Sequence, residues 1–587
     1  MKSGIVVLSL ASLVSCTSSE TAVPLADSAP FEDISQASGL EFWQYSGATG
    51  ELHLPEIAGS GAAMVDYDND GDQDVYLIQG STAPESGDEP VVPLPEGWKP
   101  GNRLFRNELI PSGKLAFTDV TEQAGVGYIS QGMGVAAGDY DNDGFRDLYV
   151  TNYDAEAGDS VLYHNNGDGT FTDVTREAGL VSSGWPTSAA FLDYDKDGSL
   201  DLAVVHYVRF YPRDCPSLAA ENEYCGPQNF QPTVTELFHN RGDGRFEDVT
   251  ADAGLKAKPG PGLGILTGDF NADTWPDFMV ANDGAANHLW LNEPGTKQGG
   301  TQGESANRIF REAGLKHGIA YASDGRPRAG MGLTVADIYG DGGESVVVTN
   351  LVGQGFTLFS RQPNGHYMDV TRKTGMFRSS RPYTGFGVGF FDMDNSGLAD
   401  LFAANGAVEA EQDLLGEPFP YGQQNMLVHN LGKGKGFEDL TDAAGEALDH
   451  VEVSRAAVFG DINNDGGVDI LITNNNGPAR LLLNTVPQRG HWLTVQAEGV
   501  ATNRSAYGSE VEVFRKNGTS VRRRVRSDGS YLSANDPRVH FGLGALTEID
   551  HIEVQWLGGA CESWNDIQVD QIVKLREGSG GACEPAH

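Results

Sequence analysis

The residues best placed to do chemistry are the aspartates of Asp139-Tyr140-Asp141-Asn142-Asp143-Gly144-Phe145-Arg146-Asp147. Carboxylates fill positions 1, 3, 5 and 9, and a glycine fills position 6. Alternate side chains of a tight turn converge on one point. Acidic oxygens gathered there repel one another unless a hard cation lies between them. Calcium suits such a point, because it accepts roughly six to eight oxygen ligands in flexible geometry, backbone carbonyls among them. Phe145, at position 7, offers such a carbonyl. The glycine allows the sharp turn round the ion.

The spacing recurs along the chain. The first loop is Asp66, Asp68, Asp70, Asp72 and Asp74, and the third is Asp193, Asp195, Asp197, Ser199 and Asp201. The fourth is Asp269, Asn271, Asp273, Trp275 and Asp277, with Thr274 in the glycine's place. The sixth is Asp392, Asp394, Ser396, Leu398 and Asp400, and the seventh is Asp461, Asn463, Asp465, Gly467 and Asp469. The fifth keeps Asp337 and Asp341 but carries Tyr339 and Ser345 where carboxylates are expected, so it is a weak site. Five to seven calcium ions are expected.

Each loop must be held by the strands beside it. A small-residue run such as Met133-Gly134-Val135-Ala136-Ala137 precedes it, and an apolar run such as Leu148-Tyr149-Val150-Thr151-Asn152 follows. A third strand ends in Leu162-Tyr163-His164-Asn165, and a turn leads to Phe171-Thr172-Asp173-Val174-Thr175. Four short strands per unit at a long period mark a β-propeller blade, and seven units predict a seven-bladed ring over residues 31–487. The outer F-x-D strand occurs once before the first loop, at Phe31 to Asp33, and not after the seventh. The N-terminal copy is therefore expected to complete the last blade, which also removes a free sheet edge. From residue 490 to 577 the alternation of Trp492-Leu493-Thr494-Val495, Glu510 to Phe514 and Ile552 to Trp556 predicts a separate, sandwich-like β domain, with 578–587 as a tail. Its basic run, Arg522 to Arg526, reads as a solvated strand face or a partner site.

The formal net charge of −42 argues against nucleic-acid binding, and the loops carry much of it. Lys2 and the apolar run from Ile5 to Val14 read as an export signal, too short to span a bilayer. Leu13-Val14-Ser15-Cys16 resembles a bacterial lipobox, which implies lipidation of Cys16 and cleavage just before it, so that Cys16 becomes the first mature residue; an ordinary secretory signal is the alternative. Thr17 after the cysteine points to an outer-membrane lipoprotein facing the periplasm or the cell surface, with 17–30 as a tether. In an exported chain, Cys215 with Cys225 and Cys561 with Cys583 read as local disulfides, since no C-x-x-C spacing supports zinc.

With these residues in view, the chain resembles the ASPIC/UnbV group related to cartilage acidic protein. The loops resemble FG-GAP or VCBS-type repeats of integrin α propellers. Asn503-Arg504, Gly508, Val539-His540-Phe541-Gly542-Leu543-Gly544 and Val554-Gln555-Trp556 carry the C-terminal match; Ser509 departs from it where an alanine is usual. The resemblance implies an all-β fold and calcium, and leaves the activity undefined.

Propellers bind ligands on the face opposite such loops. There each blade places a polar residue at a fixed offset: Gln79, Asn152, His206, Asn282, Asn350, Asn405 and Asn474. These read either as strand-end caps or as a ring lining a pocket for a protein, glycan or small molecule. Glu56, Arg328 and Arg455 approach the same face. Two readings follow: an envelope-anchored binding or adhesion module, or an enzyme such as an isomerase or cyclase using Glu56, His206, Arg328 or Arg455 in the central funnel.

Overall fold

Apolar runs of about five residues, broken by turns rich in aspartate and glycine, favour short strands over helices. The computed structural model describes residues 29–82, 90–153, 160–215, 223–295, 308–410 and 419–583. The signal segment, Cys16 and most of the tether lie outside the described residues. The chain is all-β and propeller-like. Each repeat forms an antiparallel sheet in chain order, as in Gln131–Gly138, Asp147–Tyr153, Val161–Asn165 and Phe171–Asp173. Seven such four-stranded sheets are present among the described residues, the fourth with one added strand, Arg328–Ala329. Their first strands touch in cyclic order, the last against the first. Phe31–Asp33 pairs antiparallel with Arg480–Asn484, placing Phe31 opposite Asn484, so the N-terminal strand completes the last sheet as its phase predicts.

A recurring asparagine ties six of the seven sheets to the one before. The Asn165 amide donates to the Tyr67 carbonyl at 2.8 Å, Asn240 to Tyr140 at 2.7 Å and Asn292 to Tyr194 at 2.7 Å. Asn430 and Asn484 repeat the bond to Ile338 and Met393, and Asn107 reaches back to Ile462, linking the first sheet to the last. The fifth sheet lacks this staple, because Arg361 stands where the asparagine falls.

The C-terminal part forms two sheets. His491–Glu498 lies between Val539–Gly544 and the parallel strand Gln571–Arg576. Ser520–Arg524, Glu510–Phe514, His551–Gln555, Cys561–Asn565 and Gly581–Ala582 form the other. The expectation of a separate domain fails here. Leu493, Val495, Val511 and Phe541 share one apolar cluster with Tyr140, Tyr149, Leu162 and Leu202 of the second and third sheets. Of the basic run, Arg522 and Arg524 pair with Glu512 and Glu510 on the neighbouring strand.

The same part of the chain also fills the ring axis. Residues 527–536, between Ser520–Arg524 and Val539–Gly544, thread through it and bond to the first strand of every sheet. Met64, Val135 and Leu333 donate backbone N–H groups to the carbonyls of Ala534, Leu532 and Ser530. Val388 donates to Ser530 Oγ, Thr267 to Asp528 Oδ2 and Phe459 to Asn535 Oδ1, while Leu532 donates to Ser188 Oγ. Small residues on the inner strands make room for this segment: a Cβ on Gly61 would lie 1.8 Å from the Leu532 carbonyl oxygen. The funnel expected from sequence is therefore closed part-way by Tyr531 and Leu532, both buried. Both local disulfides, Cys215–Cys225 and Cys561–Cys583, are formed.

Candidate metal centre and the opposite face

The loops join the first and second strands of their sheets. In the second loop Asp139 accepts the backbone N–H groups of Asp143 and Gly144, and Asp143 accepts that of Phe145. Asn142 and Gly144 adopt φ of 61° and 100°, the left-handed region that asparagine tolerates and glycine prefers. Asp147 accepts N–H groups from Tyr140 and Asn165 at 3.1 and 2.8 Å, which fixes position 9 against the third strand. Asp139, Asp141 and Asp143 each present an oxygen within 4.8 Å of the others, as do Asp66, Asp68 and Asp70.

The carboxylates so gathered are held out of water. Burial pushes Asp139 and Asp147 up to about 7, Asp277 up to about 8 and Asp66 up to about 6, and raises Asp392 and Asp469 well above the usual carboxylate range. In the first loop one oxygen each of Asp66, Asp68, Asp70 and Asp72 is buried without a hydrogen-bond partner. Orphaned acceptors on Asp66, Asp68 and Asp70, residues that each present an oxygen within 4.8 Å of the others, fit a hard cation and no neutral protein group.

Three loops carry a histidine that the spacing argument missed. His164, His239 and His429 face the position-9 carboxylates of Asp147, Asp201 and Asp400 at 3.4, 3.1 and 2.8 Å. The Asp147 carboxylate beside it holds His164 up at about 8, and the hydrogen bond to Asp201 holds His239 at about 9. The recurring x-His-Asn at the end of the third strand was the available signal. The fifth loop is different. Lys433 Nζ lies 2.8 Å from Asp341 Oδ2, so an ammonium occupies the neighbourhood a metal would neutralise.

Neighbouring loops are also linked directly. Position 4 of one loop donates to the position-6 carbonyl of the next: Asn69 to Gly144, Asn142 to Gly198, Asn395 to Gly466 and Asn464 to Gly71, at 2.8 to 3.2 Å. Lys196 makes the corresponding link to the Thr274 side-chain hydroxyl. The C-terminal sheets sit on this rim. Arg504 donates its backbone N–H to Asn142, Arg538 holds the Asp461 carbonyl and Asn464, and Arg489 pairs with Asp465 at 2.8 Å.

The opposite face corrects the ring of ligand groups. Gln79 binds Trp43 and Tyr45 backbone atoms, Asn282 the Ala286 carbonyl, Asn350 the Val348 and Gly355 carbonyls, Asn405 that of Gln424 and Asn474 that of Pro478. These groups, with Asn152 and His206, are buried in the strand ends. None of them lines the cavity on this face, and the amide N–H groups of Gln79, Asn282, Asn350, Asn405 and Asn474 donate to nearby backbone. The candidate catalytic residues are not brought together either. Glu56 Oε1 accepts from Thr49 and Oε2 from Tyr224. Arg328 pairs with Asp324 at 2.7 Å. Arg455 is fully buried, bonds four backbone carbonyls and stacks 4.0 Å over Phe386. His206 Nε2 meets both Ser182 Oγ, at 3.0 Å, and Glu236 Oε2, at 3.1 Å. One ring nitrogen serving both partners cannot relay a proton between them.

Residues 499–582 match the ASPIC and UnbV family, and residues 66–150 and 139–204 match the FG-GAP-like repeat. Both signatures are present in this chain. It is 23% identical over 516 residues to mouse cartilage acidic protein 1, covering 85% of this chain and 70% of that protein. The human protein is 23% identical over 522 residues, with 86% and 70% covered. Among solved structures, one describing recognition of non-reducing terminal N-acetylglucosamine by an Agrocybe aegerita lectin superposes with a TM-score of 0.36 at 14% identity. It covers 70% of this chain and 85% of that one. No helix among the described residues is long and apolar enough to cross a membrane.

Proposed function

We propose that this chain is an exported binding module whose propeller-like ring is stabilised by calcium at the six loops other than the fifth. The four orphaned carboxylate oxygens of Asp66, Asp68, Asp70 and Asp72 carry the reading. In the first loop these residues and Asp74 would hold the ion. In the second they are Asp139, Asp141, Asp143, the Phe145 carbonyl and Asp147. The relatives named cartilage acidic protein and the two formed disulfides support an extracytoplasmic setting. A protein, glycan or small molecule would be its ligand, on the face opposite the loops. Titration of chelator-treated protein by calorimetry is expected to saturate near six equivalents. Asp143→Ala should lower that number by one and leave the fold intact, because each loop closes on its own sheet. An unchanged stoichiometry in the variant would refute the assignment.

Lipidation at Cys16 would anchor the module to the outer membrane. The check is fractionation: Cys16→Ser should move the protein from the membrane to the soluble fraction. Retention in the membrane fraction would remove the anchor from the proposal.

A further inference from the structure

On the face opposite the loops, a cavity of about 630 Å³ sits over the ring axis. Its floor is apolar. Ile57 and Met331 contribute from the segments leading into two sheets, Phe386 from an inner strand, and Tyr531 from the segment that fills the axis. Phe386 and Tyr531 meet edge to face with centroids 5.0 Å apart.

One carboxylate is set into the wall. Asp283, at the end of Asp277–Ala285, accepts the Tyr207 hydroxyl on Oδ2 at 2.6 Å. Burial pushes its carboxyl up to about 6, leaving it ionised at neutral pH. Asp214, Glu223 and Glu409 add further negative charge among the lining residues, against Arg213 alone. Arg213 is directed at the Asn229 carbonyl, 2.9 Å away. Arg455 lies behind Phe386 with its donors on backbone carbonyls. Aromatic faces attract cations through their quadrupole, and a carboxylate forms charge-assisted hydrogen bonds with an ammonium.

We propose that this cavity binds a small organic cation, its ammonium at Asp283 and its apolar body against Tyr531 and Phe386. The proposal rests on the binding-module reading and gives that module a ligand class. The test is calorimetry on the calcium-loaded full chain with benzylammonium, benzoate and benzyl alcohol as probes. The cation should bind with one site per chain, and the other two at least about tenfold more weakly. Asp283→Asn should weaken the cation by about tenfold or more without moving the melting temperature. The wild-type series decides the matter even where that variant does not fold. Equal binding of benzoate, absence of cation binding, or full affinity in Asp283→Asn would overturn the proposal. Any of these with calcium stoichiometry intact strikes the pocket alone. Loss of the calcium stoichiometry strikes the module reading instead.

Discussion

Stripping calcium from this protein should lower its melting temperature by about ten degrees or more, and magnesium should restore little of it. A ligand that binds only the folded state at a hundred times its Kd contributes about 2.7 kcal/mol, and several loops act at once. The loops are linked to one another through Asn69, Asn142, Asn395 and Asn464, so emptying one loosens the position-6 carbonyl of the next. Magnesium fails because it demands a near-ideal octahedron and keeps its waters, whereas these loops offer crowded carboxylates. A pH dependence follows. A carboxyl whose folded pKa lies above its unfolded value binds more protons when folded. Its contribution is full below the unfolded value, 3.8 for aspartate, and fades as pH rises through the folded one. With Asp139 near 7 and Asp277 near 8, the metal-free chain should lose stability between about pH 4 and 8. The calcium-loaded chain should be nearly flat over that window, because the ion replaces the protons. Scanning calorimetry with and without a chelator at several pH values is the measurement. Equal melting temperatures with and without calcium would remove the stabilising role.

The loops were legible because their chemistry is local: convergence of alternate side chains is written in the spacing itself. The N-terminal strand was legible from phase, since Phe31 to Asp33 stood unpaired before the first loop. The asparagines and histidines at the ends of third strands were visible as repeats. Their partners were not, because the Asn165 bond to Tyr67 spans almost a hundred residues and joins two sheets. The polar residues Gln79 to Asn474 misled because an amide that caps a strand end and one that faces a ligand look alike in sequence. Segment 527–536 left no signal either. It has no helical or strand periodicity, and its partners are mostly backbone groups that any residue supplies.

That segment carries the second large effect. A chain ending at residue 487 should not fold into a cooperative ring. Its inner strands would lose the acceptors of Met64, Val135, Thr267, Leu333, Val388 and Phe459 at once. A buried donor left without a partner costs about 1 to 3 kcal/mol, although water entering the emptied axis would recover part of it. Tyr531, Leu532 and Ala534, all buried, would also leave a void along the axis. The apolar surface of Tyr140, Tyr149 and Leu202 would lose Leu493, Val495 and Phe541 from the same cluster. Natural domains are stable by only about 5 to 15 kcal/mol, so losses on this scale exceed the margin. Within the full chain Leu532→Ala should cost about 2 to 5 kcal/mol, the range for truncating a packed leucine. Leu532→Asp should cost more, because it places a carboxylate in a fully buried apolar cluster. Urea melts followed by circular dichroism would measure both variants. If residues 29–487 alone melt cooperatively within a few degrees of the whole chain, the ring is self-sufficient and the axial segment is an accessory. The loops would then be stabilising a scaffold that needs no C-terminal partner, and the dependence of one half on the other would have to be abandoned.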